Sequence, residues 1–169
     1  LNQKHRIEAA RSYAKAAQLF SEAGKLLQAI DCKLLQWRIK PPTPKEARLF
    51  YTHFQKGNFN QAPLKTFFQR LSYEELMSFV PKLVHQKLTA GKLIKKNGDP
   101  EKHLYFVVSG ELKETVYFPL RKDKDTLYRK KITALNENQF FGDIYPFKDD
   151  NTSTSFVETA AQTELLRIA

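Results

Sequence analysis

Residues 90–113 read AGKLIKKNGDPEKHLYFVVSGELK, and this stretch holds the pattern that decides the fold. Short runs rich in apolar residues alternate with turn signals at Ala90-Gly91, Asn97-Gly98-Asp99 and Ser109-Gly110-Glu111. Glycine adopts the positive φ angles of tight turns without a Cβ clash. The pattern predicts β-strands over residues 92–96 and 103–109, joined by short turns.

The same pattern of short apolar runs separated by turns continues on both sides of this stretch. We predict further strands near residues 83–89, 112–118, 128–135, 155–160 and 164–168. Many short strands at this spacing are typical of a jelly roll or barrel. A short amphipathic helix, capped by Ser72 and with Glu74 and Glu75 in its first turn, is predicted just before the first strand.

The first forty residues look different, because they hold no proline and only one glycine, Gly24. Good helix formers dominate, so we predict two helices that break at Gly24. The stretch PPTP (41–44) ends this pair, since consecutive prolines cannot continue a helix. Thr43 followed by Glu46 predicts a capped start for a third helix. A turn at Gly57-Asn58 separates it from a fourth.

The charge is divided unevenly along the chain. The whole sequence has a net charge of +10; residues 1–70 hold 13 Lys/Arg and 4 Asp/Glu (+9), and residues 71–169 hold 15 and 14 (+1). This asymmetry predicts two parts, a helical region over 1–70 and a β-domain over 71–169. A basic surface is open to an acidic protein, a nucleic acid or an anionic membrane, or it is simply a solvated face.

The helical part resembles the tetratricopeptide repeat, whose helical hairpins stack into arrays. The residues at matching spacings are Tyr13, Ala16, Ala17, Phe20, Ala29 and Pro41. Lys33 and Gln36 depart from the pattern, at positions where the family prefers an aromatic residue and alanine. The resemblance implies a protein-binding helical surface, and a partner held by these hairpins or by repeats upstream of them.

The β part resembles the cyclic nucleotide-binding domain family over roughly residues 72–168. The first matching stretch is residues 90–113, where the glycines and the polar or aromatic residues near them fall at the family's spacing: Gly91, Gly98, Asp99, Tyr105, Gly110 and Glu111. Further along, FFGD (140–143) matches the start of the family's phosphate-binding cassette. The resemblance implies an α+β fold, with the helical hairpins followed by a jelly-roll β-barrel with flanking helices. We attribute the retained glycines to the needs of the fold.

In that family the cassette binds a cyclic nucleotide. A Gly-Glu step holds the ribose, a small residue leaves room for the sugar-phosphate, short-helix N–H groups face the phosphate, and an arginine pairs with it. The positions of this chain that correspond are Gly142, Asp143, Ile144, Tyr145, Thr152, Ser153 and Thr154.

Most of these positions depart from the family pattern. Asp143 is one methylene shorter than glutamate, Tyr145 stands where a small residue is preferred, and Pro146 lacks an N–H donor. Alignment to the family pattern forwards from Asp143 puts Thr152 at the arginine position, whereas alignment backwards from Ile168 puts Ser153 there. Neither residue is charged. Lys148 is the nearby cation, and Asp149 and Asp150 compete for it. The sequence therefore predicts a degenerate site without a conventional cofactor, with cAMP or cGMP binding as the alternative.

No catalytic constellation is visible, and no enzyme activity is expected. The four histidines have no metal-ligand spacing, so no metal site is expected, and Cys32 is interpreted as a packing residue. The basic run RKDKDTLYRKK (121–131) is interpreted as a long, solvated hairpin loop.

The combined patterns predict a non-enzymatic regulatory or scaffold module that binds a protein. We expect a cytoplasmic protein without a transmembrane segment. The first alternative is a working cyclic nucleotide sensor with an unusual pocket. The second is a basic helical face that binds nucleic acid or an anionic membrane, although nucleic acid is not the expected partner.

Overall fold

The computed structural model of the chain describes residues 2–60, 62–122, 125–142 and 152–169, with the side chains at 62–63, 121–122 and 125–126 left out. The chain divides into two compact units, residues 1–83 and 84–169. The predicted division lies between residues 70 and 71, whereas residues 71–83 belong to the first unit in the structure.

In the first unit, the residues that the structure describes form five α-helices and one turn of 3-10 helix (Val80–Lys82). The helices are α1 (Gln3–Glu22), α2 (Leu26–Ile39), α3 (Pro44–Lys56), α4 (Ala62–Gln69) and α5 (Tyr73–Phe79). The predicted break at Gly24 is confirmed, since α1 ends before it and α2 begins after it. The α3 and α5 starts are capping boxes: Thr43 with Glu46, and Ser72 with Glu75.

Aliphatic and aromatic side chains fill the interior of the helical unit. Leu26, Leu27 and Ile30 on α2 have no exposed surface. Phe54 packs against both Phe59 and Phe68, with ring centroids 5.7 and 5.9 Å apart. Cys32 is buried and forms no disulfide, as expected for a packing residue. The resemblance to the tetratricopeptide repeat stays a prediction.

The described residues of the second unit form eight strands in two four-stranded antiparallel sheets, ordered β1-β8-β3-β6 and β2-β7-β4-β5. The strands are β1 (Val84–Leu88), β2 (Leu93–Lys95), β3 (Leu104–Ser109), β4 (Glu111–Lys122), β5 (Asp125–Asn136), β6 (Phe140–Phe141), β7 (Phe156–Thr159) and β8 (Thr163–Ile168). Side chains from both sheets meet in one core; those of the first sheet include Tyr105, Val107 and Leu165, and those of the second Leu112, Leu135 and Val157. This is the predicted jelly roll, and the α+β fold class is confirmed.

The basic run 121–131 corrects one prediction. Its described residues, 121–122 and 125–131, do not form a long loop, because they lie in β4 and β5, which pair in continuous register from Glu111↔Asn136 to Lys122↔Asp125. β7 pairs with β4 only over Leu112–Thr115, so the outer part of β4 and β5 is a two-stranded ribbon. Tyr128 in this run and Tyr117 earlier on β4 are large aromatic residues, which favour extended backbone. This preference for a strand exceeds the preference of the neighbouring charged residues for a loop.

Candidate ligand site in the roll

Gly142 begins the predicted cassette, and the fold itself requires a glycine there. It follows β6, which pairs with β3 through Tyr105↔Phe141 and Phe106↔Phe140. Its φ is +135°, and a Cβ at this position would lie 2.5 Å from the carbonyl oxygen of His103. No real side chain tolerates that distance, so Gly142 is explained by the close approach of two backbones without reference to a ligand.

Three of the predicted site residues, Asp143, Ile144 and Tyr145, lie outside the described residues. The same is true of Pro146, Lys148 and the pair Asp149-Asp150. Their assignment to a phosphate-binding cassette stays a prediction from the sequence.

Residues 152–155 form an extended segment that alternates between two environments. Thr152 and Thr154 are exposed, whereas Ser153 and Ser155 are each only 2% exposed. The segment is held against the turn after β2, because the N–H of Ser153 donates to Asp99 O and Ser153 O accepts from the N–H of Gly98, both at 2.9 Å. Of the two positions proposed for the phosphate-pairing arginine, Ser153 faces inwards and Thr152 faces solvent.

Both inward serines use their hydroxyl groups within the protein. Ser153 Oγ donates to the carbonyl oxygen of Ser155 at 2.9 Å, and Ser155 Oγ donates to Glu114 Oε1 at 2.7 Å. Buried hydroxyls are expected to be satisfied in this way. The donors that a phosphate would need from these two side chains are therefore already engaged.

A buried ion pair lies beside this segment. Lys95 Nζ on β2 is 2.9 Å from Glu101 Oε2, and their side chains are 4% and 5% exposed. Charged groups are almost never buried unless paired, and each of these supplies the counter-charge that the other needs. The pair introduces a cation into the roll without leaving a net charge there.

Lys95, Glu101 and Ser153 line the same cavity, which has a volume of about 340 Å³. Its other lining residues are Ile94, Lys96, Asp99, Pro100, Lys102, His103 and Tyr105. Ligand pockets are mostly apolar with a few polar groups, and small ones start near 300 Å³. This cavity is near the lower limit and is lined mainly by charged and polar groups, which suits a small polar ligand better than a nucleobase.

Two titratable groups of the cavity are shifted towards their neutral forms. Burial lowers the pKa of His103, and Arg167 acts in the same direction while Glu101 opposes it. Burial raises the pKa of the Tyr105 phenol, helped by Glu101 and opposed by Arg167. Desolvation is the largest cause in both cases. Apart from the Lys95–Glu101 pair, these inner walls therefore favour uncharged groups.

Sequence reasoning missed Lys95 and Glu101. In KLIKK (92–96) a regular strand would place Leu93 and Lys95 on one face. The register shifts between these two residues, and Leu93 is 56% exposed while Lys95 is buried. A bulge of this kind redirects a side chain and leaves no mark in an alternation pattern.

The helical unit holds a second candidate site, a groove of about 470 Å³ beside α2, the prolines at 41–44, α3 and α5. Its lining is mainly apolar: Leu34, Trp37, Arg38, Pro41, Pro42, Thr43, Pro44, Ala47, Tyr73, Met77, Val80 and Pro81. Arg38 is fixed at its rim, since Nη2 donates to Leu83 O at 2.7 Å. An apolar groove with aromatic, methionine and proline side chains suits a peptide.

A comparison with protein families matches residues 85–169 to the cyclic nucleotide-binding domain. The chain belongs to this family. The match covers the jelly roll, and the predicted resemblance is thereby confirmed for the cyclic nucleotide-binding domain. No curated protein matches the chain.

Solved structures of regulators resemble the chain at a distance. The Thermus thermophilus Catabolite Activator Protein is 23% identical, with a TM-score of 0.46, over 60% of this chain and 44% of its own. The N-terminal domain of a Streptomyces coelicolor A3(2) transcriptional regulator is 20% identical, with a TM-score of 0.46, over 60% and 66%. The regulatory subunit of a cAMP-independent protein kinase A from Trypanosoma brucei is 14% identical, with a TM-score of 0.49, over 79% and 44%. The chain thus spans between about two fifths and two thirds of these proteins.

Among the described residues, no helix combines the length and the apolar character needed to cross a lipid bilayer.

Proposed function

We propose that this chain is a non-enzymatic regulatory module that holds a protein partner, and that its cyclic nucleotide-binding domain serves as a scaffold. In this proposal the jelly roll does not bind cAMP or cGMP in the manner usual for the family. The observation that supports it is at Ser153, one of the two positions predicted to correspond to the arginine: this serine is buried and donates its hydroxyl proton to Ser155 O.

The absence of arginine at this position has a definite energetic cost for a cyclic phosphate. A hydrogen bond to a charged group contributes roughly 1.5–3 kcal/mol, so its loss weakens binding about ten- to a hundredfold. Lys95 does not compensate, because Glu101 lies 2.9 Å from its ammonium group. A phosphate entering the cavity would have to compete with this carboxylate.

The decisive experiment is a thermal-shift titration with cAMP, cGMP and cyclic dinucleotides. A ligand at a hundredfold its Kd stabilises the folded state by about 2.7 kcal/mol, which moves Tm by several degrees. We expect no shift at roughly millimolar concentrations of any of these nucleotides. A shift that fits a low-micromolar Kd for cAMP or cGMP would sink the proposal.

A protein partner is supported by the apolar groove of the helical unit. Met77 lines this groove, whereas Leu19 on α1 is 55% exposed and is not one of its lining residues. Met77→Glu and Leu19→Glu therefore add the same charge at two sites. Affinity capture followed by cross-linking should lose a groove-bound protein only with Met77→Glu. Equal capture by both variants would remove the groove from the proposal.

A second candidate function, a sensor of a small anion, is favoured by the lysines of the cavity. Lys95, Lys96 and Lys102 line it against the two acids Asp99 and Glu101, an excess of one positive charge. A sensor would bind its ligand more weakly in Lys96→Met and keep it in Lys113→Met, because Lys96 is exposed and lines the cavity whereas Lys113 pairs with Glu158 and is 42% exposed. Calorimetry with inorganic phosphate and with the nucleotides above distinguishes the two functions.

A further inference from the structure

The outer ribbon of the second sheet ends in an open edge. Among the strands that the structure describes, β5 is the last in the order β2-β7-β4-β5 and is hydrogen-bonded to β4. In an antiparallel pair every second residue directs both its N–H and its C=O away from the partner strand. Among the described residues of the roll, none outside β4 hydrogen-bonds to the main chain of residues 127–135. β5 therefore presents a long row of main-chain donors and acceptors.

Large apolar side chains stand on both faces of the ribbon. Leu127 is 55% exposed on one face, and Tyr128 and Ile132 are 65% and 52% exposed on the other. On β4, Phe118 and Leu120 are also about half exposed, and they lie on the Leu127 face because they pair with Arg129 and Leu127. Exposed apolar side chains beside an unpaired edge mark a strand that is suited to pairing with another chain.

Cations occupy the middle of the same edge strand. Arg129, Lys130 and Lys131 follow one another, are exposed, and pair across the ladder with Phe118, Tyr117 and Val116. Because side chains alternate, Lys130 lies on the face of Tyr128 and Ile132, while the other two lie on the face of Leu127. Each face of β5 thus combines apolar and positively charged side chains.

This charge pattern argues against a second copy of the chain as the occupant. If two β5 strands paired antiparallel over their full length, residue i would face residue 261 − i, since β5 runs from 125 to 136. Lys130 would then lie opposite Lys131 of the other copy, twice over. Like charges directly opposite each other are destabilising. An acidic segment meets the same positions with attraction.

The outer part of β4 is a poorer edge. It contains Pro119, which has no N–H to offer to an added strand. Proline is tolerated at an edge where its missing N–H would face away from the neighbouring strand, and β4 pairs with β5 through this position. β5 is the edge of the ribbon with no proline in its length.

We propose that β5 accepts an extended acidic segment of a partner protein as an additional strand of the sheet. The segment carries three consecutive acids opposite Arg129, Lys130 and Lys131, with apolar residues on either side for Tyr128 and Ile132. Main-chain hydrogen bonds hold it, and the charges set its register. This inference rests on the proposed role as a protein-binding module, and it adds the surface and the chemistry of the partner.

The test uses the whole chain and the synthetic peptide Val-Thr-Val-Glu-Asp-Glu-Val-Thr-Val, with a control peptide in which glutamine replaces the three acids. Hydrogen exchange of β5 amides is followed by NMR during titration. The acidic peptide should slow exchange at every second amide within residues 127–133, and the control peptide should bind about tenfold more weakly. Binding without protection of β5 would overturn the proposal, and so would no binding.

Matched charge variants identify the site. The triple variant Arg129→Gln, Lys130→Gln, Lys131→Gln should weaken the acidic peptide about tenfold. The triple variant Lys4→Gln, Arg6→Gln, Arg11→Gln removes the same charge from exposed positions of α1 and should bind normally. If both triple variants bind the acidic peptide equally weakly, the peptide is not bound specifically at the β5 edge and the proposal is contradicted. Glutamine keeps the strand polar, and circular dichroism checks that each variant is folded.

Other occupants are outcomes of the same test. Vesicles of phosphatidylserine and a duplex DNA are added in separate arms. Binding to either that the β5 triple variant abolishes, with no peptide protection of β5, would overturn the proposal in favour of a membrane or a nucleic acid. If β5 binds no peptide while the groove at Met77 still captures a protein, the proposed function stands and only this inference fails.

Discussion

The ammonium group of Lys95 lies 2.9 Å from the carboxylate of Glu101, inside the roll of a cyclic nucleotide-binding domain. The two side chains are 4% and 5% exposed, so neither charge is hydrated to any extent. A buried pair contributes little net stability, because desolvating both ions offsets their attraction. Removing one partner is different, since the remaining charge is then buried and unpaired.

Replacing one member of the pair should therefore lower the stability of the fold strongly, whereas replacing both members should not. We expect Lys95→Met and Glu101→Leu each to lower the free energy of unfolding by about 3–5 kcal/mol. The double variant Lys95→Met with Glu101→Leu should be close to the wild type. Urea unfolding measures all three. In Lys113→Met, which breaks the 42%-exposed pair with Glu158, the loss should stay below about 1 kcal/mol. Additive losses in the double variant would contradict a coupled buried pair.

Gly142 should be needed for folding, whether or not a ligand binds. Gly142→Ala brings a Cβ to 2.5 Å from His103 O at a φ of +135°, and we expect a loss of at least about 2 kcal/mol. Gly98 is the matched control, because its φ is +87° and a Cβ there would meet open space. Gly98→Ala should cost about 1–2 kcal/mol from backbone strain alone. Equal losses in chemical denaturation would show that the backbone contact at Gly142 is unimportant.

The helical unit offers a test of its α3 start. Thr43 Oγ1 accepts from the Glu46 N–H at 3.2 Å, and Glu46 Oε2 accepts from the Thr43 N–H at 2.8 Å. Thr43→Ala should lower the free energy of unfolding by about 1 kcal/mol. Thr52→Ala, within the same helix, should cost less, because its hydroxyl only donates to Arg48 O. Thermal unfolding of both variants shows which substitution lowers stability more. A larger loss of stability in Thr52→Ala than in Thr43→Ala would contradict the importance of the capping box.

Stability should depend on the protonation of His103. Burial and Arg167 lower the pKa of this side chain in the folded state, so the unfolded state binds a proton more readily. The stability that His103 contributes is therefore present above its unfolded pKa of about 6.5 and is lost as the pH falls through the folded-state value. His103→Asn should reduce the loss of stability below about pH 6.5. Urea unfolding of the wild type and of His103→Asn at a series of pH values measures this. If the free energy of unfolding falls equally with pH in both proteins, the lowered pKa of His103 is contradicted.

The sequence predicts the strands and helix starts well, because these depend on local chemistry. Alternating apolar residues with glycine turns are enough to place β3, and Thr43 with Glu46 is enough to place the start of α3. The two-residue strand β6 has no such signal. It forms because the rings of Tyr105 and Phe141 stack at 4.8 Å, a contact between residues far apart in the chain.

The candidate site is less accessible to sequence reasoning. Ser153 could be assigned to the arginine position only together with Thr152, because counting from either side gave different answers. The alternation of exposed and buried side chains over 152–155 separates these two positions in space. Lys95 was unforeseen, since a bulge in β2 turns it inwards. Asp143, Ile144 and Tyr145 lie outside the described residues, and their roles stay predictions.

The central claim is that Ser153 and its neighbours do not receive a cyclic phosphate. It is tested most directly by NMR, following the backbone amides of Ser153 and Ser155 while cAMP is added to the whole chain. Ser153 and Asp99, whose carbonyl oxygen accepts from the Ser153 N–H, both line the Lys95–Glu101 cavity, and the Ser155 N–H donates to Ser153 Oγ at 3.5 Å. An occupied phosphate site would therefore change the environment of both amides. We predict unchanged chemical shifts up to roughly millimolar cAMP. Progressive, saturable shifts at these two amides with a low-micromolar Kd would contradict the account.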